Sequence, residues 1–98
     1  MPIIVTPSAQ NTQIRIEGEF TIYTAADSKQ LLCDALNAHA AFTVELDAVE
    51  EIDTSGVQLL LMLKRDAEKL GKPLTLIGHS AAVQEVVNLL NLSELQAA

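Results

Sequence analysis

The 98-residue chain is long enough for one compact domain and too short for two, since single domains commonly run to about 100–150 residues. Hydrophobic residues make up 49% of the sequence, which is enough to fill one core and excludes a disordered chain. Six basic and thirteen acidic residues give a net charge of −7, the wrong sign for neutralising nucleic-acid phosphates. We therefore expect no nucleic-acid partner. The longest apolar run, Leu59 to Leu63, is also too short for membrane insertion.

Cysteine and histidine are scarce and widely spaced. Cys33 is the single cysteine and cannot form an internal disulfide, and no basic-then-apolar leader opens the chain, so we expect a reducing cytoplasm. His39 and His79 lie far apart without metal-ligand spacing. The expectation is that the protein holds no metal and no cofactor.

Short β-branched or alternating runs predict four strands. Ile3 to Val5 is β-branched, and residues 13–17 alternate between apolar and polar side chains, which predicts a hairpin ended by Gly18. Residues 42–47 alternate in the same way, and residues 49–52 are expected to carry the chain across the end of that strand. The short run of residues 74–77 predicts the last strand.

Start and stop signals predict three helices. Thr24, followed three residues later by Asp27, resembles a capping box that opens a helix to about Ala40. A second helix is expected to begin between Asp53 and Ser55 and to end at Leu70, where Gly71 and Pro73 supply the stop. Ser80 begins the third, and residues 91–98 are expected to be a frayed tail.

Helical spacing predicts which residues of these helices are buried. In the first helix they are Ala25, Leu32, Ala35 and Leu36. In the second they are Val57, Leu60, Leu61, Lys64, Ala67 and Leu70, with Gln58, Met62, Arg65 and Lys69 on the opposite stripe. In the third they are Val83, Val86, Val87 and Leu90.

The predicted order is β-β-α-β-α-β-α, an α/β fold in one domain spanning residues 1–98. Crossover helices of this length place strands parallel in one sheet, and the hairpin makes that sheet mixed. Functional residues of such sheets tend to lie just past the carboxyl ends of the strands. The segment Asp53-Thr54-Ser55-Gly56 falls in that neighbourhood.

Two interpretations of this segment are open from spacing alone. Ser55 with Gln58 three residues on matches a capping box, in which case the serine only caps the helix. Alternatively, a hydroxyl presented at a helix N-terminus is a phosphoacceptor, where the phosphate would sit beside Asp53, Glu50 and Glu51 and repel a partner matched to the neutral state. A hydrolase is disfavoured, because nothing places a histidine base beside Ser55. We therefore expect no catalytic residue.

The sequence resembles the STAS family of anti-sigma factor antagonists and sulfate-transporter tails. Three pieces carry the resemblance over nearly the whole chain: Gly18-Glu19-Phe20 with Thr24-Ala25, residues 44–56 with their Asp-x-Ser-Gly motif, and residues 71–90. The resemblance implies a STAS domain in which Ser55, with Thr54 as second choice, is phosphorylated by an anti-sigma-type serine kinase and reset by a phosphatase. Asp53 and Gly56 are its motif neighbours.

Two departures bear on the partner and leave alternatives open. Thr21 stands where the antagonists often carry Asp, and Glu50 and Glu51 stand where apolar residues are frequent. Other STAS proteins include a constitutive subunit of lipid-transport ABC systems and small proteins linked to chemotaxis kinases, which residues 21–25 resemble. A constitutive subunit would need no modified serine.

A modified serine can gate only contacts near itself, so the partner surface should surround the motif. Gln58 and Met62 on the solvent stripe of the helix are candidates, together with Thr54 and Tyr23. Met62 could equally fill a gap in the core, and Tyr23 could equally lie at the edge of the core.

Overall fold

The computed structural model describes residues 3–97, which are arranged around a four-stranded sheet. The strands are β1 (Ile3–Thr6), β2 (Thr12–Phe20), β3 (Phe42–Ile52) and β4 (Leu74–Ile77). The helices are α1 (Ala25–Ala38), α2 (Thr54–Lys69) and α3 (Ala81–Leu89), followed by a 3-10 turn at Ser93–Leu95. The predicted order of strands and helices is confirmed. Within the described range, no helix combines the length and apolarity needed to cross a bilayer.

The sheet is mixed, as predicted, with its strands in the order β1-β2-β3-β4. β1 is antiparallel to β2, whereas β2, β3 and β4 are mutually parallel. Both crossovers lead to the next strand on the same side, so right-handed connections place α1 and α2 on one face of the sheet. There the two helices pack against each other.

The two faces of the sheet differ in polarity. Buried residues of β2 and β3 alternate with partly exposed ones, and the buried set includes Ile14, Ile16, Phe42, Val44 and Leu46. The opposite face carries Arg15, whose guanidinium lies 3.0 Å from Glu17, 3.2 Å from Glu45 and 2.9 Å from Asp47. The core therefore lies between the sheet and the helices.

β2 and β3 are longer than predicted. Gly18 does not end β2, because its positive φ of 71° is accommodated within the strand, which continues to Phe20. β3 does not end at Asp47 but runs to Ile52. Its pairing with β2 shifts register twice, so that β3 carries two extra residues and its alternation of faces is interrupted. That interruption made residues 49–52 look like a loop in the sequence.

The buried face of α2 is rotated from the predicted one. Val57, Leu60 and Ala67 are buried as expected. Leu61 and Lys64 are only half-buried and Leu70 is exposed, whereas Leu59 and Leu63 are buried although they were not predicted. Residues 59–63 are apolar at every position, so spacing could not identify the stripe that faces α1 and the sheet.

The other two helices follow the predictions more closely. In α1, Leu32, Ala35 and Leu36 are buried and Ala25 is half-buried. In α3, Val83 and Val87 are buried and Val86 is half-buried, but Leu90 is exposed. Leu90 is the C-cap of α3, so the helix ends before the face can extend to it.

Helix ends depend on local hydrogen bonds. Gly71 follows α2 with a φ of 67° while the Lys72 N–H bonds the Ala67 carbonyl at 2.9 Å, which confirms the predicted stop. Ser80 caps α3 as predicted, accepting from the Val83 N–H at 3.2 Å. The Thr24 capping box is wrong, because the Thr24 hydroxyl caps no N–H of α1 and instead donates to the Glu19 carbonyl at 3.1 Å.

The expected frayed tail is also wrong for the described residues. Leu95 in the 3-10 turn is fully buried, and its carbonyl oxygen lies 2.6 Å from His79 Nε2. Glu94 pairs with Arg65 of α2 at 2.9 Å. Residue 98 lies outside the described residues. A single buried leucine among polar neighbours gives no periodic signal, so the sequence pattern could not reveal this anchor.

We expect Leu95→Ala to lower the free energy of unfolding by about 2–5 kcal/mol, because it empties a filled site in the core. Leu89→Ala is the matched control: Leu89 is 78% exposed, so its loss should change stability by no more than about 0.5 kcal/mol. Urea unfolding of both variants measures the difference. Equal stabilities would mean that the C-terminal segment does not pack on the core.

Candidate functional site

The motif segment lies where β3 ends and α2 begins. Asp53, not Ser55, is the N-cap of α2: its Oδ1 accepts the N–H groups of Ser55 at 2.9 Å and Gly56 at 3.2 Å. Ser55 is therefore the second residue of the helix. The interpretation of Ser55 and Gln58 as a capping box is wrong, since a cap must precede the helix whose free N–H groups it binds.

Asp53 also binds a distant part of the chain. Its Oδ2 accepts the Ile22 N–H at 3.0 Å, which ties the loop between β2 and α1 to the start of α2. The pKa of the Asp53 carboxyl is lowered from its ordinary value, chiefly by the Ile22 bond, and burial opposes the shift only in part. An ionised Asp53 thus holds together both segments that flank the motif.

Gly56 lies where the start of α2 packs directly against the end of β2. A Cβ atom built there would fall on the Phe20 carbonyl oxygen and would lie 2.9 Å from both Ile52 Cγ1 and Phe20 Cδ2. A backbone atom cannot move aside as the end of a flexible side chain can. The glycine of the motif is therefore required by packing.

Ser55 lines a groove between α1 and α2, which we call the Ser55 groove. It has a volume of about 360 Å³ and is lined by Ala25, Ala26, Lys29, Ser55, Gln58, Leu59 and Met62. Ser55 is half-buried, and its hydroxyl makes no hydrogen bond with the residues that the structure describes. The structure thus brings together Ser55, Gln58 and Met62, whereas Thr54 is exposed and does not line this groove.

Tyr23 lies on a second groove, which we call the α3 groove. It has a volume of about 540 Å³ and is lined by Glu19, Thr21, Tyr23, Glu51, Ile52, Asp53, Ala82, Glu85, Val86 and Leu89. Sequence reasoning did not include α3 in the partner surface. Its spacing predicted a buried face, but Leu89 and Glu85 lie on the exposed side of the helix.

The two histidines are occupied elsewhere. His79 Nε2 is bonded to the Leu95 carbonyl, and the His39 ring lies edge-on to Phe42 with ring centroids 6.5 Å apart. Among residues 3–97, no three histidine, cysteine, aspartate or glutamate side chains are grouped as metal ligands.

A sequence model of one protein family matches residues 5–97, nearly the whole chain, and is described as "Mlab, STAS domain". The chain belongs to the STAS family. No curated protein matches the sequence.

Solved structures with the same fold include anti-sigma factor antagonists. One is SpoIIAA in its unphosphorylated form, with 20% identity, a TM-score of 0.79, and coverage of 98% of this chain and 87% of that one. The Bacillus SpoIIAA in its phosphorylated form has 19% identity, a TM-score of 0.75, and coverage of 98% and 90%. A putative antagonist from Thermotoga maritima has 20% identity, a TM-score of 0.84, and coverage of 97% and 83%. At these identities the similarity establishes the fold.

The lowered pKa of Asp53 predicts a pH-dependent contribution to stability. Because the folded pKa lies below the unfolded value of about 3.9, the carboxylate stabilises the fold above that pH. The contribution is lost as the pH falls through the folded pKa. We expect Asp53→Asn to be less stable than the native chain at pH 7, because an amide offers one acceptor oxygen to three N–H donors.

The gap in free energy of unfolding should narrow steadily below about pH 4 in denaturant titrations. Asp34→Asn is the control, since Asp34 is an exposed residue of α1 whose side chain, among residues 3–97, bonds only that of its helix neighbour Gln30. A gap for Asp53→Asn that stayed constant from pH 7 to pH 2 would contradict the role assigned to its charge.

Gly56→Ala should destabilise the domain by about 1–3 kcal/mol, because the added methyl meets backbone that cannot yield. Helix propensity alone predicts the opposite sign, a gain of about 1 kcal/mol. The free energy of unfolding of Gly56→Ala, measured by thermal and urea unfolding, decides between these two predictions. Gln58→Ala, at an exposed position of the same helix, should stay within about 0.5 kcal/mol.

Proposed function

We propose that this STAS domain is a regulatory protein-binding module of the anti-sigma factor antagonist type, switched by phosphorylation of Ser55. The observation that carries the proposal is that Asp53 caps α2, which leaves the Ser55 hydroxyl without a structural role. That hydroxyl lines an open groove beside Gln58 and Met62. It is therefore accessible to a kinase and adjacent to a surface that a partner could contact.

Charge would make phosphorylation an effective switch. A phosphoserine adds about −1.5 to −2 charges at pH 7. At Ser55 it would lie within the first turn of α2, where the helix dipole favours an anion, but next to the ionised Asp53 carboxylate. A partner surface that fits the neutral hydroxyl, Gln58 and Met62 would then face a new anion. Binding would weaken with little change in the fold.

The similar solved structures are consistent with a switch of this kind. SpoIIAA resembles this chain in both its unphosphorylated and its phosphorylated form, with TM-scores of 0.79 and 0.75. We propose an anti-sigma-type serine kinase and a phosphatase as partners, and a cytoplasmic location. A binding role, rather than hydrolysis, is supported by the lining of the Ser55 groove, which includes neither His39 nor His79 among the described residues.

A constitutive STAS subunit of a larger complex is the second candidate. The matching family model is described as "Mlab, STAS domain" and names no anti-sigma factor antagonist, which keeps a role other than that of the antagonists as the second candidate. In that role, as in a chemotaxis-linked protein, Ser55 would contact a partner without being modified.

We expect the protein isolated from its own cells to carry phosphate on Ser55. Cleavage before aspartate releases residues 53–65, in which Thr54 and Ser55 are the only hydroxyl side chains. Mass spectrometry of this peptide should show a phosphate that is lost in Ser55→Ala and retained in Thr54→Ala. Absence of phosphate under several growth conditions would favour the constitutive subunit.

Ser55→Asp provides the matching binding experiment. Aspartate in the first turn of a helix is favourable, so the variant should fold normally. The partner recovered with the native chain should bind it at least tenfold more weakly in titration calorimetry, and Ser55→Ala should bind normally. Unchanged binding of Ser55→Asp would reject the switch.

A further inference from the structure

The α3 groove combines exposed apolar side chains with uncompensated negative charge. Tyr23 is 89% exposed and Leu89 is 78% exposed, and both line the groove together with the half-buried Val86 of α3. Large apolar side chains exposed together around a concave surface are typical of protein contact sites. Its volume of about 540 Å³ can accept several side chains from a partner.

The charge of this groove is one-sided. Four of its lining residues are acidic, namely Glu19, Glu51, Asp53 and Glu85, and the described lining contains no basic residue. Asp53 is used by three N–H donors, and Glu19 accepts the Thr21 hydroxyl at 3.0 Å. Within residues 3–97, the side chains of Glu51 and Glu85 form no hydrogen bond and no ion pair.

The basic residues of the chain lie elsewhere. Arg15 is already paired with three carboxylates on the open face of the sheet, and Lys29 lies in the Ser55 groove. The other four lie between residues 64 and 72, in the second half of α2 and just beyond it. Among the described residues, the Glu51 and Glu85 carboxylates are therefore left free to receive cations from outside the chain.

A second copy of the chain is a poor occupant. Two such grooves facing each other would oppose Glu51 and Glu85 with the same residues of the other copy, and the whole chain carries a net charge of −7. Like charges brought together in an interface are destabilising. The exposed apolar residues need a partner of opposite charge.

We propose that the α3 groove binds a cationic amphipathic helix of a partner protein. Lysine or arginine side chains of that helix would pair with Glu51 and Glu85, while its apolar side chains would pack on Tyr23, Val86 and Leu89. The inference rests on the protein-binding role proposed above but not on phosphorylation of Ser55. It assigns the partner a chemistry and a contact surface separate from the Ser55 groove.

The test uses a synthetic 14-residue peptide of leucine and lysine in amphipathic helical spacing, titrated into the ¹⁵N-labelled full chain. Amide signals of Tyr23, Glu51, Ala82 and Glu85 should shift together, and the affinity should fall as salt is raised. Peptides of leucine and glutamate in the same spacing, and of leucine and lysine in scrambled order, should bind at least tenfold more weakly.

Matched variants distinguish binding in the α3 groove from effects of net charge or of surface hydrophobicity elsewhere on the chain. Glu85→Lys should weaken peptide binding at least tenfold, whereas Glu68→Lys, with the same change in net charge on α2, should leave it within about twofold. Leu89→Gln should weaken binding comparably, whereas Leu70→Gln, at another exposed leucine, should not. All four positions are exposed, and the dispersion of the amide spectrum checks that each variant folds.

Several results would overturn the proposal. They are equal binding of the leucine–glutamate peptide, equal effects of Glu85→Lys and Glu68→Lys, shifts confined to the Ser55 groove, or no shift at millimolar peptide. A dimer in sedimentation equilibrium that Leu89→Gln dissociates would instead make a second copy the occupant. The phosphate measurement on Ser55 is unaffected by any of these outcomes, so the two proposals can fail separately.

Discussion

The arrangement of both grooves depends on the Asp53 carboxylate. Its two oxygens bind three N–H groups, two from the first turn of α2 and one from Ile22 in the loop between β2 and α1. Those donors belong to segments that lie next to each other only in the folded chain. Because one side chain satisfies all three, the position of Ser55 on α2 and that of Tyr23 on the loop are coupled. Asp53 is thus the link between the two surfaces.

The length of β3 determines where Asp53 lies relative to α3. β4 pairs only with residues 42–45 of β3, and β3 continues for seven residues beyond that ladder. The Ser80 N–H bonds the Leu46 carbonyl at the point where β4 has ended, and α3 then packs beside the second half of β3. The α3 groove exists because a helix, not a strand, lies next to residues 51–53.

The sequence was sufficient for the order of elements, for the position of the motif, for the helix stop at Gly71 and for the helix start at Ser80, because each depends on signals within a few residues. It was insufficient where the deciding contact is remote. Ser55 and Asp53 are both plausible caps locally, and the choice between them is reinforced by the Ile22 N–H, 31 residues away. The burial of Leu95 depends on packing against the core, to which its own neighbours give no clue. The groove beside α3 was not predicted, because the spacing of Val83, Val86, Val87 and Leu90 is that of a helix with one buried face.

The two grooves differ in how they respond to charge. Lys29 lies in the Ser55 groove, whereas the lining of the α3 groove is acidic. A phosphate on Ser55 would add negative charge within a few ångströms of Asp53, which lines the α3 groove, and this is well inside the Debye length of about 8 Å at physiological salt. The same modification would repel a partner fitted to the neutral Ser55 groove and attract a cation in the α3 groove. In the proposed switch, a single charge at the start of α2 would therefore act with opposite sign on the two surfaces that Asp53 joins.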